Sequence, residues 1–234
     1  MHMPRHIVIV PDGNRRWAKE IGQPSSFGHL EGAKNMERIL RSALEFEIPY
    51  CTVWLCSVRN ITERSTVEVA FLYQLFERYF KEFAQAPVLK EKRIKVNVIG
   101  RWREFFPESL QRAITSLMEG TKENDAYTLT FLMAYSGTDE MLDAIQHIAD
   151  AARAGGGESI TGENLKKNLW TKELPPVDLV IRTGGEPHWS QGLMMWDVAD
   201  AQLYFTETFW PAFSVDEFER AIRTFGATER RFGA

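Results

Sequence analysis

No stretch of about 18 consecutive apolar residues occurs in this sequence. No leader with basic, apolar and small-residue regions opens it either, so the expectation is a soluble protein of the cytoplasm. Cysteine is scarce. Cys51 and Cys56 have neither C-x-x-C spacing nor enough partners for a disulfide framework, which fits a reducing compartment. Positive charge is not in excess: 28 Lys and Arg against 32 Asp and Glu leave a net charge of −4. That excludes nucleic-acid binding by bulk electrostatics. The glycine patterns of common nucleotide enzymes, G-x-x-x-x-G-K-[ST] and G-x-G-x-x-G, are absent, and no internal repeat is found.

Hydrophobic residues make up 44% of the 234, enough for a full core and too many for a disordered chain. Strand-like runs fall at 6–10, 50–56, 94–99, 128–134 and 177–181, with a short sixth at 203–205. Helical spacing covers 31–47, 66–84, 110–118 and 139–152. This alternation predicts an α/β fold over a single domain, residues 1–234, with a six-stranded, mostly parallel sheet flanked by helices. Gly155-Gly156-Gly157 reads as a loop inside it, because the alternation continues beyond.

The stretch that organises the rest is His6-Ile7-Val8-Ile9-Val10-Pro11-Asp12-Gly13-Asn14-Arg15-Arg16-Trp17. Its apolar run predicts a strand buried on both faces, and Pro11 ends the ladder. A carboxylate, a glycine, an amide and two guanidinium groups are then delivered at the strand's C-terminal end, where open α/β sheets bind ligands. The mixture suits a polyphosphate: arginines fork onto phosphate oxygens, glycine lets backbone N–H groups approach, and Asp12 can carry a magnesium ion. The second strand runs into Ser57-Val58-Arg59-Asn60-Ile61-Thr62-Glu63-Arg64. The fifth runs into Arg182-Thr183-Gly184-Gly185-Glu186-Pro187-His188-Trp189-Ser190. Parallel strands place these three polar turns on one edge, where they can converge.

Four blocks, taken in order, resemble the cis-prenyltransferases, the undecaprenyl diphosphate synthase family. His6 to Ala18 is similar to the family's H-x-x-x-x-M-D-G-N-G-R-W-A opening, and Phe27-Gly28-His29-x-x-Gly32 matches its F-G-H-x-x-G. Asp178 to Glu186 is similar to D-L-x-I-R-T-G-G-E, and Arg230-Arg231-Phe232-Gly233 to the closing R-R-F-G. The resemblance implies a homodimeric transferase with a hydrophobic tunnel between sheet and helices. Ionisation of an allylic diphosphate would give a cation that a nucleophile attacks. It also implies that Asp12 holds Mg2+ and that Gly13, Asn14, Arg15, Arg16, Trp17, His29, Ser57 and Arg64 surround the diphosphates. Asn60 would assist proton removal, with Asp12 and Arg16 as its catalytic companions.

The chain departs from the pattern on the acceptor side. Arg15 stands where the second glycine is usual and Pro11 replaces methionine, a form that also looks like irregular members such as cyclolavandulyl diphosphate synthase. Ser25 stands where an arginine is expected, Arg59 replaces a glutamate, and one residue is inserted before Arg64. Arg182 and Ser190 are kept, but His188 occupies the place of a second arginine and Gln202 that of a magnesium-binding glutamate. Each loss removes a charge-assisted hydrogen bond of about 1.5–3 kcal/mol. The expectation is therefore an acceptor without a diphosphate, such as an aromatic small molecule stacking on Trp189. Arg59, Arg15, Arg182 and the C-terminal arginines holding isopentenyl diphosphate is the alternative. A short-chain or irregular head-to-middle synthase and a silent partner subunit also stay open. Leu55, Leu132 and Met133, where long-chain members carry small residues, predict a plugged tunnel and a dimethylallyl or geranyl donor.

Overall fold

In a computed structural model, residues 2–156 and 159–227 are described. The strands are β1 (His6–Val10), β2 (Tyr50–Cys56), β3 (Ile94–Ile99), β4 (Tyr127–Met133), β5 (Leu179–Arg182) and β6 (Gln202–Phe205). They form one sheet in the order β3-β4-β2-β1-β5-β6, and every pairing is parallel. The helices are α1 (Asn14–Glu20), α2 (Ser25–Glu45), α3 (Val58–Thr62), α4 (Thr66–Phe83), α5 (Pro87–Glu91) and α6 (Trp102–Phe105). They continue with α7 (Glu108–Thr121), α8 (Gly137–Arg153), α9 (Gly162–Asn168) and α10 (Val215–Ala227). None of the described helices is long and apolar enough to cross a membrane.

All five residues of β1 are buried, and alternation splits them between two cores. Ile7 and Ile9 join Val53, Phe131, Ile114 and Phe218 on one side of the sheet; Val8 and Val10 join Leu132, Tyr135, Val180 and Leu193 on the other. This assigns the three predicted tunnel residues. Leu132 and Met133 are neighbours on β4 and point to opposite faces, so both cannot line one tunnel.

Several boundaries differ from the sequence expectation. The helix expected at 31–47 begins at Ser25, so the Phe27-Gly28-His29 stretch is helical, not a loop. Its glycines are sites of close packing. A Cβ on Gly28 would lie 2.1 Å from the Asn14 carbonyl oxygen, and one on Gly32 would lie 2.0 Å from Asn14 Oδ1. Helix α1 itself falls where a polar turn was expected, entered through Gly13 at φ 104°. A side chain there would also meet the Phe209 ring. The Arg230-Arg231-Phe232-Gly233 block and Gly157 lie outside the described residues.

Candidate functional site

The end of β1 is held from several directions. The Asp12 carbonyl accepts from Thr183 Oγ1 at 2.8 Å and from the Trp210 N–H at 2.9 Å. The Gly13 N–H donates to Asp12 Oδ1 at 2.6 Å. Asn14 Nδ2 donates to the Pro11 carbonyl at 3.2 Å, while its Oδ1 is buried with no partner among the described residues, pressed against Gly32. Backbone and carboxylate of Asp12 are thus fixed by β5, by α1 and by the segment before α10.

Six side chains from β1–α1 and the β5 turn close a ring. Asp12 Oδ1 pairs with Arg16 Nη2 at 3.1 Å, and Arg16 Nη1 donates to Glu186 Oε1 at 3.0 Å. Glu186 Oε2 faces His188 Nδ1 at 3.5 Å, and His188 Nε2 lies 2.9 Å from Ser190 Oγ. Ser190 Oγ accepts from Arg182 Nη1 at 2.8 Å, and Arg182 Nη2 returns to Asp12 Oδ2 at 3.1 Å. Arg182 is only 7% exposed. A guanidinium already stripped of water meets a ligand's charge more strongly than one in solvent. The predicted convergence of the first and fifth turns is therefore a direct ion-paired contact.

The second turn arrives beside them. Ser57 and Asn60 form a capping box at α3: the Asn60 N–H donates to Ser57 Oγ at 3.2 Å and the Ser57 N–H to Asn60 Oδ1 at 3.1 Å. Arg64 follows and reaches Glu68 Oε1 at 3.5 Å, where His29 Nε2 at 3.1 Å and Arg15 Nε at 3.8 Å also meet. Burial lowers the pKa of His29 despite that carboxylate, so it serves near neutrality as a hydrogen-bonding imidazole rather than a cation. Glu68 is the residue that sequence reasoning missed. Its signal was available, since it stands four residues after Arg64, in the first turn of α4.

A cavity of about 1440 Å³ opens from this cluster. Asp12, Gly13, Asn14, Arg15, Arg16, His29, Ser57, Asn60, Arg64, Arg182 and Ser190 all line it. Beyond them the walls are mainly apolar, with Met36, Leu40 and Leu44 from α2, Leu72, Leu75, Phe76 and Phe80 from α4, and Leu55 and Phe131 from the sheet; Glu37, Arg41 and Glu82 also line it. It reaches Ile94 and Tyr127 at the opposite ends of β3 and β4, so it runs the length of the sheet and passes Leu55 without being closed there. The plug expected from Leu55, Leu132 and Met133 is not present: Leu55 is a wall, Leu132 faces the other core, and Met133 is fully buried away from the cavity.

Five other expected residues stand apart from it. Trp17 stacks on Phe27 with ring centres 6.0 Å apart. Arg59 lies back on Glu63, with Nε 2.8 Å from Oε1, and is mostly exposed. His188 belongs to the ring but does not line the cavity. Trp189 packs against the second core, and Gln202, at the start of β6, buries its Nε2 without a partner among the described residues.

Both cysteines are buried and burial pushes their thiols up, Cys51 to about 12 and Cys56 to about 11, so they stay protonated and unreactive. Among the described residues no three His, Cys, Asp or Glu side chains converge on a metal-sized space. One carboxylate beside an anion-binding cluster is a donor set that suits magnesium bound mainly through water and phosphate oxygens.

Comparison with known proteins places this architecture. The family described as putative undecaprenyl diphosphate synthase matches residues 10–233. The chain is 39% identical over 233 residues to a tritrans,polycis-undecaprenyl-diphosphate synthase (geranylgeranyl-diphosphate specific) of Pyrococcus abyssi, covering 99% of this chain and 87% of that one. It is 39% identical over 232 residues to an isoprenyl transferase of Fusobacterium nucleatum, covering 99% and 96%. The crystal structure of lavandulyl diphosphate synthase from Lavandula x intermedia, in complex with dimethylallyl diphosphate, superposes with a TM-score of 0.94 at 28% identity and 99% coverage of both chains. A probable undecaprenyl diphosphate synthase from Campylobacter jejuni gives 0.80 at 26% identity, covering all of both chains.

Proposed function

Because the chain belongs to the undecaprenyl diphosphate synthase family and is a prenyltransferase, we propose that it ionises an allylic prenyl diphosphate and couples the cation to isopentenyl diphosphate, repeatedly. One observation carries this reading: a single cavity is cationic and polar at the Asp12 end and lined mainly by aliphatic and aromatic side chains along the rest of the sheet. That is the shape of a ligand with a polyanionic head and a hydrocarbon tail. Its volume of about 1440 Å³ exceeds the roughly 300–1,000 Å³ of ordinary small-ligand pockets. A dimethylallyl or geranyl chain alone would leave most of it empty, so a growing product is the better occupant.

Arg16, Arg64 and the Gly13–Asn14 backbone would bind the donor diphosphate, with His29 hydrogen-bonding at its edge. Allylic C–O cleavage is rate-limited by charge accumulating on the departing diphosphate, and preplaced guanidinium groups lower that barrier. Asp12 would hold a magnesium ion, which when bound supplies further neutralisation of the leaving group. Asp12 must then exchange its pairs with Arg16 and Arg182 for that role, and the released guanidiniums turn to phosphate oxygens. The aliphatic walls keep water from the cation.

Arg182 and Ser190 present a desolvated cation and a hydroxyl to the acceptor, a pair suited to a diphosphate. An aromatic acceptor has little support here, since Trp189 packs, partly buried, against the second core and does not line the cavity. Asn60 is better suited to donating than to removing a proton, because its Oδ1 already accepts from the Ser57 N–H. Its NH2 can steer the acceptor. The homodimer belongs to the same proposal: on edge strand β6, Leu203 is 49% and Phe205 37% exposed, an apolar edge that a second subunit would cover.

A second reading is the irregular coupling of two five-carbon units, favoured by the TM-score of 0.94 to lavandulyl diphosphate synthase. Incubation with magnesium, isopentenyl diphosphate and either dimethylallyl or geranylgeranyl diphosphate, with products resolved by chain length, separates the two. A ladder of elongated diphosphates supports the first; a ten-carbon irregular product from dimethylallyl diphosphate alone supports the second. No diphosphate release with any pair overturns both and leaves a silent partner subunit.

A further inference from the structure

Between β5 and β6, from Thr183 to Ala201, the chain forms no helix or strand. This segment nonetheless carries Ser190 and Gln191 into the cavity wall. It is held against Tyr135-Ser136-Gly137, the short run that leads from β4 into α8. The Gly137 N–H donates to the Gln191 carbonyl at 3.1 Å, and the Met194 N–H donates to Tyr135 Oη at 3.2 Å. A Cβ on Gly137 would overlap the Gly192 carbonyl oxygen, so the two backbones touch.

The backbone at this junction is strained. Among the described residues five other than glycine take positive φ, and three of them lie in these two segments: Ala134 at 48°, Gln191 at 48° and Met194 at 44°. Such conformations persist only where the surroundings over-determine them, and they cluster at ligand sites. Tyr135 supplies that constraint, although it is fully buried and does not line the cavity. Its oxygen accepts from Met194, so its own proton goes to Glu140 Oε2, while Glu140 Oε1 accepts from the Thr171 N–H at 2.8 Å. Asp197 anchors the far end of the segment. Its carbonyl accepts from the Val177 N–H and its carboxylate from Thr171 Oγ1, both at 2.8 Å, and from Lys166 Nζ. The phenol hydroxyl is thus the side-chain link between α8 and the turns that carry Ser190.

We propose that Tyr135 is a positioning residue for the acceptor. Through the Met194 N–H, with Gly137 beside it, its hydroxyl sets where Ser190 and Gln191 stand in the cavity wall, and so sets the affinity for the acceptor diphosphate. The inference rests on the reading of Arg182 and Ser190 as that diphosphate's site. The donor end is anchored elsewhere, by Thr183 and Trp210 on Asp12 and by Glu68 on Arg64, so the effect belongs to one substrate.

The test is steady-state kinetics of Tyr135→Phe, Gly137→Ala and Ser190→Ala with isopentenyl diphosphate and an allylic diphosphate. Tyr135→Phe keeps the ring's packing on Trp170. It should raise the KM for isopentenyl diphosphate roughly tenfold and leave the KM for the allylic diphosphate unchanged. Gly137→Ala leaves the phenol in place and presses on Gly192; it should move the same KM in the same direction. Thr121→Val removes a buried hydroxyl that accepts from the Val96 N–H at 3.1 Å, between α7 and β3. It should lower stability in a denaturant titration without moving either KM. A KM for isopentenyl diphosphate that does not rise in Tyr135→Phe, or rises no more than that for the donor, overturns the proposal. Gly137→Ala decides in the same way if Tyr135→Phe does not fold. If isopentenyl diphosphate is not turned over, the proposed function fails, and calorimetric binding of inorganic pyrophosphate decides instead. Weaker binding in both Ser190→Ala and Tyr135→Phe supports the positioning role. Weaker binding in Ser190→Ala alone refutes it, and unchanged binding in Ser190→Ala refutes the acceptor-site reading and the positioning role together.

Discussion

Arg182 and Asp12, 170 residues apart in sequence, meet at 3.1 Å where β5 and β1 end side by side. The same guanidinium holds Ser190 and the His188 carbonyl, so one planar fork joins the end of β1 to the turn after β5. A lysine cannot reproduce that geometry. Arg182→Lys should raise the KM for isopentenyl diphosphate roughly tenfold or more while retaining turnover, measured by steady-state kinetics at fixed donor.

The packing of α2 on α1 depends on Gly32 having no side chain. Gly32→Ala would drive a methyl group to 2.0 Å from Asn14 Oδ1 and should cost about 1–3 kcal/mol of stability in a denaturant titration. Gly120, on α7, has open space where a Cβ would stand, with nothing within 4 Å. Gly120→Ala should be neutral or slightly stabilising, which separates steric clash from a general helix effect.

His6 gives the fold a dependence on acid. Its Nδ1 donates to the Pro175 carbonyl and its Nε2 accepts from Thr52 Oγ1, both at 2.8 Å. Burial holds its pKa down at about 4 against the usual 6.5. The native imidazole stays neutral where the unfolded chain takes up a proton. The contribution is therefore intact above about pH 6.5 and is lost progressively as pH falls toward 4. The loss reaches about 3 kcal/mol at its limit. Denaturant titrations at steps between these pH values should show this slope, and His6→Gln should flatten it.

Wall and core positions should separate in product analysis. Leu55→Trp narrows the cavity near its polar end and should shorten the longest product. Leu132→Ala lies on the other face of the sheet; it should cost about 2–5 kcal/mol of stability and leave the product lengths where they were.

Strands were the most legible part of the sequence, because runs such as Ile7–Val10 and Val96–Ile99 have no competing helical spacing. The convergence of the three arginine-bearing turns followed from parallel strands alone. Helices α1 and α3 did not show, since Gly13-Asn14-Arg15-Arg16 and Ser57 to Thr62 are polar and short; α1 has no side-chain cap, and the Ser57–Asn60 capping box of α3 is a local signal that reads equally as a polar turn. The start of α2 at Ser25 was missed because Gly28's need for close packing cannot be told from a turn without knowing what approaches it. The tunnel assignment failed at Leu132 through the alternation of β4, a constraint that was present in the sequence. Trp189 went to the core rather than to a ligand, and Arg59 to Glu63, because each had a nearer partner on its own chain.

The central claim is that diphosphate departs at the Asp12 end of the cavity. Its most direct test is the rate of pyrophosphate release by Asp12→Asn, given an allylic diphosphate, isopentenyl diphosphate and magnesium. A fall of roughly 10²–10³ with folding retained by circular dichroism is the predicted result, whereas release at the unaltered rate would contradict the account.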